Sequence, residues 1–230
     1  MMKKILLVVA LIAGTTMYAQ DIQLGAKAGL NIAGYHGEDA VGGKPLYSFH
    51  VGPVAEFMFT DKFSVQPELL YSQVGSEIID RKGSYSTNLD ETTIVTATTN
   101  TNGDTKVNYL ILPIMGKYDV YKGIHLELGP QLGFLLSKKT STTTTLTWPD
   151  TLPAEILSAL PTSSEGTDTN TDDLAKLDIG LNVGVSYKLD SGVFLGARYN
   201  YGFNNYYKNT NEFNDDLKNQ TVQISLGFMF

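Results

Sequence analysis

The connections between strand-like segments alternate between short and long along this chain. Eight segments carry the period-two alternation of apolar and polar residues that is typical of β-strands, at residues 23–33, 48–59, 63–74, 107–118, 124–136, 177–187, 193–203 and 221–230. The connections after the second, fourth and sixth segments are a few residues long, whereas the others are long and polar. This pattern predicts an antiparallel up-and-down sheet of eight strands with every long loop at the same end.

The two faces of these segments differ in composition. One face is apolar, and the opposite face is rich in glycine with a few charged and amide side chains. A soluble eight-stranded barrel also alternates, with its apolar face turned inward, but glycine would weaken a water-facing exterior. The interior of an eight-stranded barrel is only wide enough for side chains, which suits glycine. We therefore predict that the apolar face meets lipid and that the glycine-rich face lines the lumen.

Aromatic residues at the ends of the predicted strands support a membrane barrel. Membrane barrels gather aromatic side chains at both interfaces of the apolar band. The lower strand ends carry Phe57, Phe59, Phe63, Tyr118, Tyr187, Phe228 and Phe230, and the upper ends carry Phe49, Tyr71, Phe134 and Tyr201. These two belts predict a transmembrane barrel in a bacterial outer membrane, with lipid and lipopolysaccharide around it.

The N-terminus has the pattern of an export signal. Lys3 and Lys4 precede an apolar run at residues 5–13, and small residues follow up to Ala19. This predicts a cleavable signal peptide at residues 1–19 and a barrel domain at residues 20–230. No later stretch approaches the roughly 18 consecutive apolar residues that a transmembrane helix needs.

Composition removes several classes of function. The chain has no cysteine, which rules out disulfides, thiolate metal sites and cysteine nucleophiles. Its net charge of -7 argues against nucleic-acid binding, which needs a basic surface. We expect no nucleic-acid partner, and no cofactor is implied.

Four motifs resemble those of a known group of proteins. They are the stretches 66–72 (QPELLYS), 109–113 (YLILP) with Lys117 and Tyr118, 127–133 (ELGPQLG), and 197–202 (ARYNYG). Together they are similar to small outer-membrane β-barrel proteins of the porin-family or PorT-like type. The resemblance implies the fold and the outer-membrane location, and one departure is Ile111, where the family often has an acidic residue. The terminal Phe230 also resembles the signal by which the outer-membrane insertion machinery recognises its substrates.

The predicted lumen contains three basic and four acidic residues. By their position on the strands they are Lys27, Glu56, Glu68, Lys117, Glu127, Asp178 and Arg198. Buried charges are tolerated mainly when they are paired, because desolvation costs several kcal/mol per ion. This nearly balanced set predicts a plug of ion pairs, with a charged path for ions or small solutes as the alternative.

An enzymatic role is a third hypothesis, since some small outer-membrane barrels act on lipids. General acid-base chemistry in such barrels needs a histidine near a carboxylate and usually a serine. The chain has three histidines, His36, His50 and His125. His50 lies two residues from Ser48 and His125 two residues from Glu127, but pairs with this spacing on a strand are common by chance. We assign no catalytic residue and predict a non-enzymatic structural or interaction barrel.

The long loops are the expected surface for a protein partner. Residues 88–104 and 140–145 are rich in Thr and Asn, which is compatible either with hairpins extending above the membrane or with mobile loops. Residues 153–160 predict a short helix, with Pro153 in its first turn and Pro161 after its end. Its apolar residues Ile156, Leu157 and Leu160 are candidates either for covering the barrel mouth or for contacting a partner. We expect Trp148 nearby to be a packing residue.

Overall fold

The computed structural model describes residues 22–38, 40, 43–89, 93–208 and 216–230. The predicted signal peptide lies outside these residues. The strands are β1 (Ile22–His36), β2 (Gly43–Met58), β3 (Phe63–Pro67), β4 (Leu70–Asn88), β5 (Ile94–Tyr121), β6 (Ile124–Thr147), β7 (Ser163–Asp168), β8 (Leu177–Lys188), β9 (Val193–Gly202) and β10 (Lys218–Met229). One helix, α1 (Ala154–Ala159), lies between β6 and β7 among the described residues. No helix in this part of the chain is long and apolar enough to cross a membrane.

Hydrogen bonds between neighbouring strands close a barrel. β1 pairs with β2 on one side and with β10 on the other, so the first and last strands meet. Every pairing is antiparallel, and the ring has eight strands because β3 and β4 occupy one position and β7 lies outside the ring. The predicted fold class, an antiparallel up-and-down barrel, is confirmed. Closure leaves no free sheet edge within the ring, which is what a barrel in lipid requires.

The predicted third strand is interrupted at Glu68 and Leu69. There the backbone N–H of Glu68 donates to the carbonyl of Pro113 on β5, and that of Leu69 donates to the carbonyl of Pro53 on β2. Prolines lack an N–H and disturb a regular ladder. The irregular stretch therefore lies among prolines of both neighbouring strands, and the chain keeps its alternation, so that Glu68 still faces the lumen.

The outer face of the barrel is an apolar band, as predicted. Residues exposed on it include Val51, Leu69, Leu126, Leu128, Leu195, Ile224 and Leu226. Aromatic rings contact one another at both levels of the band, in the pairs Phe59–Phe63, Phe228–Phe230, Phe49–Tyr71 and Tyr201–Phe203. This distribution is the one that a lipid bilayer imposes on a barrel, and the protein is therefore an integral membrane barrel.

Glycines make room for large side chains inside the barrel. A Cβ at Gly227 would lie 2.2 Å from the ring of Phe194, and one at Gly29 would lie 2.6 Å from the ring of His50. Any larger residue at these positions would displace a buried ring. These positions of the lumen face therefore require glycine, because ring side chains from neighbouring strands already fill the space that a larger side chain would occupy.

The strands β4, β5 and β6 extend beyond the ring and form a tall hairpin sheet on the loop side. β5 has 28 residues and β6 has 24, far more than the 9–11 residues of a membrane-crossing strand. β7 adds an edge strand through pairing of Ser163–Asp168 with β6. Of the two alternatives for these Thr-rich loops, the structure has the extended hairpin.

The outer sheet has its own small apolar core. Val95, Ala97, Leu146 and Trp148 are buried there, and Leu152, Leu157 and Leu160 pack against them. The predicted helix is present as α1, and Leu157 within it and Leu160 after it pack against this core and not over the barrel mouth. Trp148 is a packing residue, and its indole N–H donates to the carbonyl of Pro161 at 2.8 Å.

Candidate functional site: the lumen and its outer mouth

Glu68 is the centre of a buried charge cluster in the lower half of the lumen. The Nζ atom of Lys27 lies 2.7 Å from Glu68 Oε2, and Nη2 of Arg198 lies 2.8 Å from Glu68 Oε1. Arg198 also bridges to Glu127, with Nε 2.5 Å from Oε2. The interrupted strand delivers Glu68 to this point, since its backbone bonds to β5 while its side chain reaches across to β1 and β9.

A second group of charges surrounds Glu56. Its carboxylate lies 3.1 Å from Lys117 Nζ and 2.8 Å from Lys188 Nζ. Gln66 joins the two groups, because it accepts a hydrogen bond from Lys117 at 2.9 Å and donates one to Glu68 at 2.6 Å. Four cations and three carboxylates therefore form one connected network across the lumen.

Lys188 is a member of this network that the sequence prediction missed. It is the last residue of β8, one residue beyond the predicted end of that strand. Its position has the same parity as Asp178 and Ser186, both of which face inward. Extending the alternation by one residue would have found it.

Asp178 is the one predicted lumen charge that stands apart from the network. It is buried near the upper end of β8, and its carboxylate accepts a hydrogen bond from Asn219 Nδ2 at 2.8 Å. It forms no ion pair with a described residue. The sequence placed it correctly inside the barrel, but the prediction that all seven charges belong to one plug is wrong at this residue.

Neutral polar side chains fill the middle of the lumen around His50. The amide nitrogen of Asn31 donates to the carbonyls of Phe49 and Gln73, which fixes the amide so that Oδ1 faces His50. Nδ1 of His50 lies 2.8 Å from that oxygen, and Nε2 lies 2.9 Å from the hydroxyl of Ser225. Nδ1 therefore carries the proton and donates to Asn31, while Nε2 accepts from Ser225.

Ser225, His50 and Asn31 have the spacing of a nucleophile, a base and an orienting group. All three are buried, with His50 and Asn31 fully enclosed and Ser225 4% exposed. None of them lines either cavity described below. The hydrogen-bond chain is present, but it lies inside the lumen packing, where a substrate has no access to the serine.

The other two histidines have different surroundings. His36 stacks on Tyr201 at the loop end, with a ring centroid distance of 4.1 Å. His125 lies at the opposite end, with Nε2 3.9 Å from Asp119 Oδ2. His125 borders a cavity of about 550 Å³ at the end with the short turns, together with Glu56 and Lys188.

Apolar side chains lie across the upper end of the lumen. Leu174 and Tyr206 come from the segments before β8 and after β9, and both are buried against Val107, Tyr109 and Ile111 of β5. The backbone N–H of Ala175 donates to the carbonyl of Tyr206 at 2.9 Å, which ties the two segments together. Ile111 thus belongs to an apolar layer.

An outer vestibule of about 750 Å³ lies above this layer. Tyr35, Tyr206, Tyr207 and Leu217 border it, and polar side chains of the hairpin sheet and of β10 line it further. The charged residues at the vestibule are Lys44, Asp80, Arg81, Lys138 and Asp168. It opens on the side of the long loops.

Among the described residues, no group of three or more histidine, aspartate, glutamate or cysteine side chains is arranged to hold a metal ion. Asp168 and Asn170 accept hydrogen bonds from the backbone: the N–H of Asn170 donates to Asp168 at 2.9 Å, and that of Asp172 donates to Asn170 at 2.8 Å. The other oxygen of Asp168 accepts from Lys138 at 2.7 Å. The hydrogen bond from Lys138 has the largest effect on the carboxyl group and, with the one from Asn170, holds the pKa of Asp168 below its usual value.

Phe230 ends the chain at the lower aromatic belt. Its side chain is 80% exposed on the lipid face, and its backbone N–H donates to the carbonyl of Leu24 at 2.7 Å. This geometry leaves the terminal ring accessible beside the seam between β10 and β1.

The fold, the lipid-facing band and the closed ring define an outer-membrane β-barrel protein. The family model described as "Outer membrane protein beta-barrel domain" matches residues 18–208. The chain belongs to this family, and the protein is located in the outer membrane.

Several solved structures match this chain over most of its length. Neisserial surface protein A is 13% identical, with a TM-score of 0.45, and the match covers 93% of this chain and 100% of that one. Ail, the attachment invasion locus protein of Yersinia pestis, is 11% identical, with a TM-score of 0.41 and the same coverage. CarO of Acinetobacter baumannii is 8% identical, with a TM-score of 0.35, covering 89% and 97%. A search of curated proteins found no match.

Proposed function

We propose that this protein is a sealed, non-enzymatic outer-membrane barrel that works through its outer surface. The observation that carries the proposal is the connected network from Lys27 to Lys188, which joins opposite walls of the lumen by ion pairs. Leu174 and Tyr206 add an apolar layer above it. The interaction surface is then the hairpin sheet and the vestibule on the loop side.

The energetics of buried charges support a closed lumen. A solute crossing the barrel would have to separate pairs such as Glu68 and Arg198, whose side chains are almost fully buried. Separating buried ions leaves each of them desolvated and unpaired, at a cost of several kcal/mol. The same network therefore stabilises the barrel and opposes passage.

A narrow channel is the rival function. The lumen contains four cations and, with Asp178, four carboxylates. The cavity at the short-turn end is bordered by Lys62, Lys188, Glu56, Asp61, Asp119 and Asp190. An ion that crossed this lumen would pass close to these charges, so the ion selectivity should change when one of them is neutralised. Such a change distinguishes a true path through the network from a leak around a misfolded barrel.

Single-channel recording of the refolded chain 20–230 in a planar bilayer tests the proposal. Folding is first verified by the heat-modifiable shift of the band on a gel. We expect a folded, electrically silent barrel. Steady conductance with an ion selectivity that changes in Glu68→Gln would overturn the sealed barrel and establish the channel.

The absence of catalysis is proposed because Ser225 is enclosed. A serine that reacts with substrate must be reachable, and an active Ser–His pair reacts with fluorophosphonate probes. We expect no labelling of the folded protein by such a probe. Labelling that disappears in both Ser225→Ala and His50→Gln would instead support a lipid-active enzyme.

Two features support the remaining proposed partners. Lys106 and Lys139 are directly paired across β5 and β6 on the outer face above the apolar band. Lys106 forms an ion pair with Asp104 at 3.1 Å, and the second like charge of the pair, Lys139, favours a further anion. We propose that lipopolysaccharide phosphates contact this pair. We likewise propose that the exposed Phe230 serves as the C-terminal insertion signal, so that Phe230→Ala should slow assembly into the membrane more than the neighbouring lipid-facing change Phe228→Ala.

A further inference from the structure

The outer vestibule differs from the lumen below it in being open and chemically mixed. Its floor is formed by the aromatic side chains of Tyr35, Tyr206 and Tyr207, with ring centroids of Tyr35 and Tyr206 5.1 Å apart and those of Tyr206 and Tyr207 4.9 Å apart. Hydroxyl-bearing side chains form one wall, where Ser76, Thr105 and Thr140 lie on neighbouring strands. The space measures about 750 Å³, which is within the range of small-molecule sites.

Contacts within the protein hold the wall and the floor in place, and the hydroxyls of the wall can still form further hydrogen bonds. Thr105 and Thr140 share a hydrogen bond of 3.1 Å between their hydroxyls, and each hydroxyl has capacity left for a ligand. In the floor, the hydroxyls of Tyr35 and Tyr206 lie against each other and are buried. The two rings therefore hold each other in place, and the hydroxyls available to a ligand are those of the wall.

The vestibule has three cations and two carboxylates. Lys138 is paired with Asp168 at 2.7 Å, and Asp80 accepts a hydrogen bond from Asn100 at 3.1 Å. Lys44 and Arg81 are exposed, and within the described part of the chain neither forms an ion pair. Two cations without carboxylate partners at the mouth of a pocket in an acidic protein favour an anionic ligand, and the arginine is suited to a carboxylate in particular.

We propose that the vestibule binds a short saccharide that carries a carboxylate, a uronate-type oligosaccharide. A pyranose ring presents C–H groups on its face and hydroxyls around its edge, so it fits an aromatic floor beside a wall of hydroxyls. The carboxylate then meets Arg81 and Lys44 at the rim. This inference rests on the proposed function, because it treats the vestibule, and not the lumen, as the working surface.

Calorimetry on the refolded full-length mature barrel in detergent tests the proposal, with trigalacturonate as the acidic probe and its neutral galactose counterpart as the comparison. We expect trigalacturonate to bind and the neutral trisaccharide to bind at least about tenfold more weakly, since hydrogen bonds to charged groups contribute that much. Arg81→Gln should remove most of this difference. Tyr207→Ala should weaken both sugars.

Matched control variants identify the site. Lys82→Gln removes a neighbouring charge of the hairpin that does not line the vestibule, and Tyr121→Ala removes an exposed tyrosine at the opposite end of the barrel. Neither should change binding. Loss of affinity in these controls equal to that in Arg81→Gln and Tyr207→Ala would overturn the site, as would the absence of trigalacturonate binding to a folded barrel.

Two competition experiments show which kind of molecule the vestibule binds and where it comes from. Inorganic phosphate that competes as well as trigalacturonate would mean that the rim holds any anion, and the saccharide proposal would be wrong. Purified lipopolysaccharide that displaces trigalacturonate would identify the bacterium's own surface sugars as the source, whereas displacement by free acidic oligosaccharides alone would indicate an external one. A conducting barrel would overturn the sealed lumen without affecting this result, and a silent barrel that binds no sugar would overturn only the saccharide site.

Discussion

The lower lumen and the outer vestibule both contain lysine and arginine, but the arginine of the lumen is buried and ion-paired, whereas the arginine of the vestibule is exposed and forms no ion pair with a described residue. In the lumen Arg198 is 6% exposed and contacts two carboxylates. At the vestibule Arg81 is exposed and forms no ion pair with a described residue. A charge that is removed from water must be paired within the protein, whereas one at a wet surface keeps its hydration and is free to meet a ligand.

The difference teaches where to look for stability and where to look for recognition in a small barrel. The paired charges determine how the strands hold together, and changing them should affect folding first. The unpaired charges contribute little to folding, because exposed ions and ion pairs are worth at most about 1 kcal/mol. Substitutions in the two regions should therefore separate folding from binding.

The largest effect is expected from Arg198→Met. The change removes the ion-pair partner of Glu127 and leaves Glu68 with only Lys27, and both carboxylates are almost fully buried. Breaking a buried pair by removing one partner costs about 3–5 kcal/mol. Urea unfolding in detergent, followed by the loss of the heat-modifiable band shift, measures this change.

Arg81→Met provides the matched comparison for Arg198→Met. Removing an exposed arginine should change the free energy of unfolding by less than about 0.5 kcal/mol. If both variants unfold at the same urea concentration as the unmodified protein, the lumen network does not stabilise the barrel, and the contrast between the two regions fails.

The next effect is a local one, in the outer sheet. Trp148→Ala should open the small core formed with Val95, Ala97 and Leu146, where removal of a large aromatic costs about 3–5 kcal/mol of local stability. Because the barrel ring does not depend on this core, the band shift should be unchanged while trypsin cuts the hairpin at least about tenfold faster. Equal protection of the variant and the unmodified protein would mean that the outer sheet is held by its strand pairing alone.

Much of this architecture follows from alternation, which depends only on the pleat of a strand. Parity along the sequence placed Lys27, Glu68 and Arg198 in the lumen, because side chains on a strand point alternately to its two faces. It does not give the angular position of a side chain around the barrel. For this reason the prediction included Asp178 in the plug, although its partner is Asn219.

The features that escaped prediction depend on irregular structure. Leu174 and Tyr206 belong to connecting segments without periodicity, so nothing in the sequence indicates that they cover the lumen. The interruption at Glu68 depends on Pro53 and Pro113 in two neighbouring strands, and only the register brings them together. The vestibule also escapes prediction, because Tyr206 and Tyr207 of its floor belong to an irregular segment and only the register of the extended strands places its wall beside them.

A smaller change in stability is expected from Lys188→Met. Glu56 loses one of its two lysines but keeps Lys117 and a hydrogen bond from Ser64 of 2.7 Å. The remaining partners should limit the loss to about 1–2 kcal/mol, clearly below that of Arg198→Met in the same urea experiment. A loss as large as that of Arg198→Met would show that Lys188 is as essential as the centre of the network.

The smallest effect concerns the pH dependence of the Lys138–Asp168 pair in the vestibule. The hydrogen bonds from Lys138 and from the backbone of Asn170 lower the pKa of Asp168 in the folded protein. The stabilisation is therefore present above the pKa of the unfolded chain and is lost as the pH falls through the lower folded value. An NMR titration of the Asp168 carboxyl carbon should give a midpoint below that of an ordinary aspartate, and Lys138→Met should raise it. A midpoint that does not respond to Lys138→Met would mean that this pair is solvated like the other rim charges, and the paired and unpaired charges of the vestibule would then be equivalent.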